Sequence, residues 1–177
     1  MKMIITTILI GLVILVTAAC TKSTDIVTTT VTELDLQKYV GKWYEVARFD
    51  HRFERGLVGC TANYSINDDG TIKVVNAGYK DKLDGDYKES EGKARRPDDK
   101  KPGKLEVSFF LWFYSDYNVM LLADDYRYAL VGSKSEDYLW ILSRTPELAP
   151  ADKELILREA QDRGYNTDNL IWVKQKI

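Results

Sequence analysis

Reactive chemistry in this chain has few side chains to draw on. The 177 residues include one histidine, His51, and two cysteines, Cys20 and Cys60. A Cys/His zinc cluster needs about four ligands at fixed spacings, so no metal is expected. A Ser-His-Asp triad would have to pass through His51. No GxGxxG or GxxxxGKS/T phosphate loop occurs, and no cofactor is expected. Cys60 is the one candidate nucleophile. A reactive thiol needs its pKa lowered by a cation or a helix terminus. Arg48 or Arg55 can supply the cation, but no general base stands out. The bland alternative, a buried cysteine packed as a small hydrophobe, is far commoner. His51 reads as a loop residue or hydrogen-bond partner rather than a metal ligand.

Composition narrows the remaining functions. Lys+Arg at 25 against Asp+Glu at 27 gives a net charge of −2, without the basic surplus of a nucleic-acid binder. Hydrophobic residues at 45% and charged ones at 29% suit an ordered globular protein rather than a disordered chain. The length fits one domain. Eleven tyrosines and four tryptophans favour strands or a stacking surface.

The elements that must hold these side chains are mostly strands. Residues 34–39 read as a helical turn closed by Gly41. Strands are predicted at residues 42–49, 60–66, 71–77, 86–94, 104–110, 117–123, 126–132 and 138–144. Asp69-Gly70 is a strong hairpin signal, because the turn needs positive φ. Such spacing indicates an antiparallel sandwich or closed barrel. Residues 150–163 break the pattern and predict a helix, with Pro150 at its start and Gly164 after its end. A last strand is expected at residues 170–174.

The N-terminus predicts a targeting signal. Lys2 precedes an apolar run from Met3 to Val16, too short to span a bilayer comfortably. It ends at Thr17-Ala18-Ala19-Cys20 and resembles a bacterial lipoprotein signal, whose cysteine is lipidated after cleavage. The expected organisation is a signal peptide at 1–19, a lipidated polar tether at 20–33 and a folded domain at 34–177. The alternative is an ordinary secretory signal cut near Ala19.

Three motifs then fall in order. Gly41-Lys42-Trp43-Tyr44-Glu45 resembles the G-x-W motif of lipocalins. The run from Asp125 to Val131 resembles their second motif, and Leu142-Ser143-Arg144-Thr145-Pro146 their third. The likeness is greater to bacterial outer-membrane lipocalins, through residues 43–56 and 138–144. The resemblance implies an all-β fold: an eight-stranded antiparallel up-and-down barrel, with one C-terminal α-helix packed outside and a short final strand. It implies that Gly41, Trp43 and Arg144 form the barrel floor, with the Arg144 guanidinium over the Trp43 indole.

Strand parity then points Glu45, Ala47 and Phe49 into the cup. On the same argument Leu105, Val107 and Phe109 line it from the fifth strand, and Tyr138, Trp140 and Leu142 from the eighth. An apolar, aromatic lumen suits an acyl chain, each methylene contributing ~0.8 kcal/mol when buried. Glu45 is expected to pair with a lumen hydroxyl or water. Loops at the open end add Phe53 from residues 50–58, and Trp112 and Tyr114 from residues 111–116. The alternative for that second loop is that Trp112 and Phe113 cover each other. Arg48, Arg52 and Arg55 cluster at the rim, where arginine suits a carboxylate or phosphate head. The other reading is a solvated charged loop paired with Asp50 and Glu54. The expected function is a non-enzymatic carrier of fatty acids or lysophospholipids in envelope maintenance. It would be held by Cys20 to the periplasmic face of an outer membrane. The rival readings are an isomerase or synthase using Cys60, and a structural protein whose barrel is filled by its own side chains.

Overall fold

A computed structural model describes residues 25–176. A helical turn, α1 (Leu36–Tyr39), leads into β1 (Gly41–Phe49), β2 (Leu57–Ile66), β3 (Ile72–Lys80) and β4 (Tyr87–Arg95). Then follow β5 (Lys104–Phe110), β6 (Phe113–Leu122), β7 (Tyr128–Gly132), β8 (Leu139–Ser143), the helix α2 (Pro150–Asp162) and β9 (Leu170–Trp172). Each of the first eight strands pairs antiparallel with the next, and β1 closes the circle by pairing with both β2 and β8. The result is an eight-stranded up-and-down barrel, with α2 packed outside. β9 adds to residues 47–49 of β1, on the edge that β2 occupies lower down.

The barrel floor follows from a few side chains. Asp35 caps α1 by accepting the Gln37 N–H at 2.9 Å. The Arg144 guanidinium lies 3.8 Å from the centre of the Trp43 ring and donates to the carbonyls of Lys38, Tyr39, Val40 and Lys42. The first three belong to the short helix end, whose carbonyls lack intrahelical partners, and the Trp43 indole N–H also donates to the Tyr39 carbonyl at 2.7 Å. Gly41 takes a φ of +92° between helix and strand, a conformation strained for any residue with a Cβ. Trp43 is fully buried.

Two cores result. One fills the lower barrel with Trp43, Tyr64, Val74, Leu105, Val119 and Leu142 among others. The second lies outside the barrel wall, where Ile156 and Ala160 of α2 cover Val46, Ala47, Phe49, Leu130 and Ile141. Ala47 and Phe49 therefore do not line the lumen, contrary to the parity expectation. The cause is a bulge: Glu45 pairs with Leu142, yet Ala47 pairs with Ile141. The extra residue, Val46, turns every later side chain of β1 to the other face. Arg48 consequently points inward. On α2, Leu155 is exposed whereas Ile156 and Ala160 are fully buried.

Residues 26–33, within the expected polar tether at 20–33, run along the outer wall. The Val27 N–H donates to the Arg163 carbonyl at 3.0 Å and the Val31 N–H to the Val119 carbonyl at 2.9 Å. The Arg163 guanidinium donates back to the carbonyls of Val27 and Thr29. The expected signal peptide and Cys20 lie outside the described residues.

Candidate ligand cavity

The upper barrel holds a cavity of about 850 Å³, within the usual range for small-molecule sites. Its wall is largely apolar: Leu57 and Cys60 from β2, Val107, Phe109 and Phe110 from β5, Phe113 and Tyr117 from β6, and Tyr138 and Trp140 around β8. A second bulge, in β5, lets the adjacent Phe109 and Phe110 both reach it, since Val107 pairs with Ser115 but Phe110 with Phe113. Polar groups gather at the mouth, among them His51, Arg55, Lys88, Glu89 and residues 133–135.

Beneath the cavity, the hydroxyl of Tyr117 hydrogen-bonds those of Tyr39 and Tyr64 at 2.8 and 2.9 Å. Burial raises the pKa of all three phenols, keeping the chain neutral. These hydroxyls satisfy one another and leave the floor electrically quiet.

One wall is charged and buried. The Arg48 guanidinium donates to Glu45 Oε1 at 2.7 Å, to the Glu54 carbonyl at 2.7 Å and to the Leu57 carbonyl at 3.1 Å. It thus ties β1 to the end of the loop that follows it. Burial and the neighbouring Glu54 carboxylate push the Glu45 carboxyl well above the usual range, against the pull of Arg48. Burial opposes charge on Glu54 as well, but contacts from His51 and the Trp140 indole outweigh it and hold its carboxyl low. The Trp140 indole N–H donates to Glu54 Oε2 at 3.0 Å. His51 Nε2 lies 2.8 Å from the same oxygen, off the line of a hydrogen bond, and neither ring nitrogen of His51 has a hydrogen-bond partner. Asn76 Oδ1 is likewise buried and unpartnered. Both residues line the cavity, so a bound molecule can meet a ring nitrogen of one and the amide oxygen of the other.

Cys60 is a free, buried thiol. Burial pushes its pKa up, and the Glu45 carboxylate adds to this; Arg48 Nη1, 3.7 Å from Sγ, pulls the other way without prevailing. The thiol is therefore held protonated, the opposite of what a nucleophile needs. Maleimide is expected to label Cys60 at least about tenfold more slowly in the folded protein than in urea, as mass spectrometry over time would show. Equal rates would return Cys60 to the list of reactive thiols. Among the described residues no cluster of three metal-ligating side chains occurs.

The lipocalin-like domain family matches residues 34–175. The chain belongs to the lipocalin family. It is 49% identical over 147 residues to the outer membrane lipoprotein Blc of Citrobacter freundii, covering 83% of this chain and 82% of the relative. The Blc of Vibrio cholerae is 44% identical over 147 residues, covering 82% and 85%. Insecticyanin of the tobacco hornworm Manduca sexta shares the fold, with a TM-score of 0.68 at 22% identity over 84% of each chain.

In this lipocalin the anticipated residues divide. Phe53, Arg55, Val107, Phe109, Tyr138 and Trp140 line the cavity. Ala47 and Phe49 lie behind the wall, as described. Arg48 is buried and engaged by Glu45, so it is no rim cation, and Glu45 pairs with it rather than with a hydroxyl or water. Arg52 stacks on the Phe53 ring at 4.7 Å and does not reach the lining. Tyr114 sits under the Arg95 guanidinium at 4.0 Å, away from the cavity. The expected loop at residues 111–116 is mostly strand, with only Leu111 and Trp112 in the turn. Trp112 and Phe113 do stack, at 6.2 Å between rings, but both remain exposed. Sequence reasoning missed Glu54, Leu57, Asn76, Phe110 and Tyr117 as lining residues. Asn76 was within reach of it: Ile72 and Val74 are buried inward positions, and Asn76 continues their alternation opposite Ala62.

Proposed function

We propose that this lipocalin reversibly binds an amphipathic lipid, a fatty acid or lysophospholipid, in the barrel cavity. The observation that carries the reading is a cup of about 850 Å³ with an aromatic wall and polar groups at its mouth. An acyl chain would lie against Val107, Phe109, Phe113 and Trp140, each methylene contributing ~0.8 kcal/mol. The head would stay among His51, Arg55, Lys88 and Lys134. No bond is made or broken; the protein carries or stores the lipid for upkeep of the envelope. Its place is the outer membrane, like that of the relatives named as outer membrane lipoproteins, with Cys20 as the lipidated residue and the domain on the periplasmic face.

The test is a titration of the purified full chain in detergent below its micellar range, using palmitate and a lysophosphatidylcholine of the same chain length. Emission of Trp140, taken as the difference between wild type and Trp140→Phe, is followed. Saturable quenching at about micromolar concentration, equivalent to roughly −8 kcal/mol, supports the reading. A folded protein that binds neither lipid sinks it.

A further inference from the structure

An open groove of about 520 Å³ runs along the outside of the barrel. Residues 26–32 form one side of it, and the closed-end turn at residues 100–102 the other. Asp116 and Asn118 lie between them, on the outer face of β6, since Tyr117 and Val119 belong to the inner core. The sides are tied together. The Val31 N–H donates to the Val119 carbonyl, and the Val119 N–H to the Gly103 carbonyl, both at 2.9 Å. A Cβ on Gly103 would lie 2.8 Å from Val31, so glycine is what lets the two segments come this near.

Its charge is lopsided. Lys100, Lys101, Lys104 and Lys134 border the groove against the carboxylate of Asp116. Asp98, in the same turn, is engaged by the backbone, accepting the Lys100 N–H at 2.9 Å, and Asp99 does not reach the lining. Among the described residues none of these four lysines has an ion pair or lies over an aromatic ring. Elsewhere Lys73 pairs with Glu91, while Lys42, Lys93 and Lys153 lie over Tyr44, Tyr114 and Trp172. Unneutralised positive charge therefore collects here, on a chain whose net charge is −2. Lys104 faces Asn118 across the ladder, Asn118 faces Gly132, and Lys134 follows two residues on. The ammonium groups are thus spread over two strand spacings, about 10 Å. A spread row on an open surface suits a plane of phosphates rather than one captured ion.

We infer that this groove docks on the anionic lipid headgroups of the leaflet that holds Cys20, laying the barrel on its side and leaving the mouth free. The inference rests on the anchored-carrier reading above. Charge selects the partner: a cluster of lysines next to a membrane anchor is drawn to anionic lipid. The anchor then makes the encounter intramolecular. Thr28, in the groove's own side, is eight residues from Cys20, about 29 Å at full stretch, so headgroups face the groove at high local concentration. Docking of this kind weakens with salt and grows with the anionic lipid fraction. It also serves the cavity. Lys134 and Asp116 border both groove and cavity, so a docked groove holds the edge of the mouth beside the headgroups without covering it.

The experiment reconstitutes the lipidated full chain in vesicles of phosphatidylcholine, alone or with roughly one-third phosphatidylglycerol. Flotation with the phosphatidylcholine vesicles establishes the anchor; a chain that fails to float overturns the anchored reading itself. Given flotation, lysines are acylated briefly with an uncharged, water-soluble reagent and each is followed by peptide mass spectrometry. Lys100, Lys101, Lys104 and Lys134 are expected to react about fivefold more slowly on the anionic vesicles, and high salt to restore their rates. Lys73 and Lys80, on β3 across the barrel, should react equally on both. Equal rates for the groove lysines on the two vesicles overturn the inference. So does the same slowing on phosphatidylcholine when inorganic phosphate is added, because the groove then takes a free anion. Protection that follows protein concentration rather than lipid composition also overturns it, since a second copy would then cover the groove. Lys100→Gln with Lys101→Gln alters only exposed positions of a turn and should remove about half of the protection at Lys134. Undiminished protection there would mean that the lysines do not act together, and the groove would not be the docking surface.

Discussion

Arg48→Met is expected to destabilise the protein by about 3–5 kcal/mol at pH 8 and by clearly less at pH 5. Among the described residues the guanidinium is the one cation within hydrogen-bonding distance of Glu45, and it also holds the carbonyls of Glu54 and Leu57. Methionine fills much of the volume but answers none of these acceptors, and two neighbouring carboxyls then share a buried wall without a counter-charge. The pH dependence follows from Glu45, whose carboxyl burial and Glu54 already push up. A raised pKa means that the folded state binds the proton more tightly than the unfolded chain. Stability is then fullest below the unfolded value and falls as pH rises through the folded one. Removing Arg48 removes the main influence pulling Glu45 down, so the variant's decline is steeper and reaches higher pH than that of the wild type. Urea unfolding at the two pH values measures this directly. A deficit that does not grow with pH would mean that Arg48 acts only through the loop carbonyls. Glu45→Gln in the Arg48→Met background should restore part of the loss at pH 8 and nothing at pH 5.

The same corner shows why the fold was easier to read than the site. Strand order, the hairpin at Asp69-Gly70 and the helix after Pro150 depend on local patterns that survive a shift of one residue, and the Trp43–Arg144 floor came from the family resemblance. Which side chains enter the lumen depends on parity, and parity is lost at a single bulged residue. Val46 inverts the upper half of β1, sending Arg48 in and Phe49 out, and nothing in the residue types of Glu45-Val46-Ala47 announces it. On β8, where no bulge occurs, the alternation of Tyr138, Trp140 and Leu142 held to the inner face. The β5 bulge cost less, since Phe109 stays on the wall and Phe110 merely joins it. Long-range partners were harder still. That Glu54 meets Trp140, 86 residues away, is a property of the closed barrel and of no local segment.

Two phenylalanines that parity places on one wall should therefore behave oppositely. Phe49 is 3% exposed and meets Tyr165 edge-on at 6.1 Å between rings, outside the barrel. Phe49→Ala opens a cavity under α2 and is expected to cost about 3–5 kcal/mol of stability, while leaving affinity for palmitate unchanged at a temperature where the variant remains folded. Phe109 is 41% exposed on the cavity lining. Phe109→Asp removes an aromatic contact worth ~2 kcal/mol to a bound chain, and that alone predicts roughly thirtyfold weaker binding. The carboxylate facing the acyl chain adds to the loss, whereas global stability changes little, because the position is solvated when the cavity is empty. Urea melts and the Trp140 titration, run on both variants, separate the two roles. If Phe49→Ala weakened lipid binding as much as Phe109→Asp, the bulge at Val46 would not hold in the ligand-bound protein, and the wall facing the lipid would include the outer core.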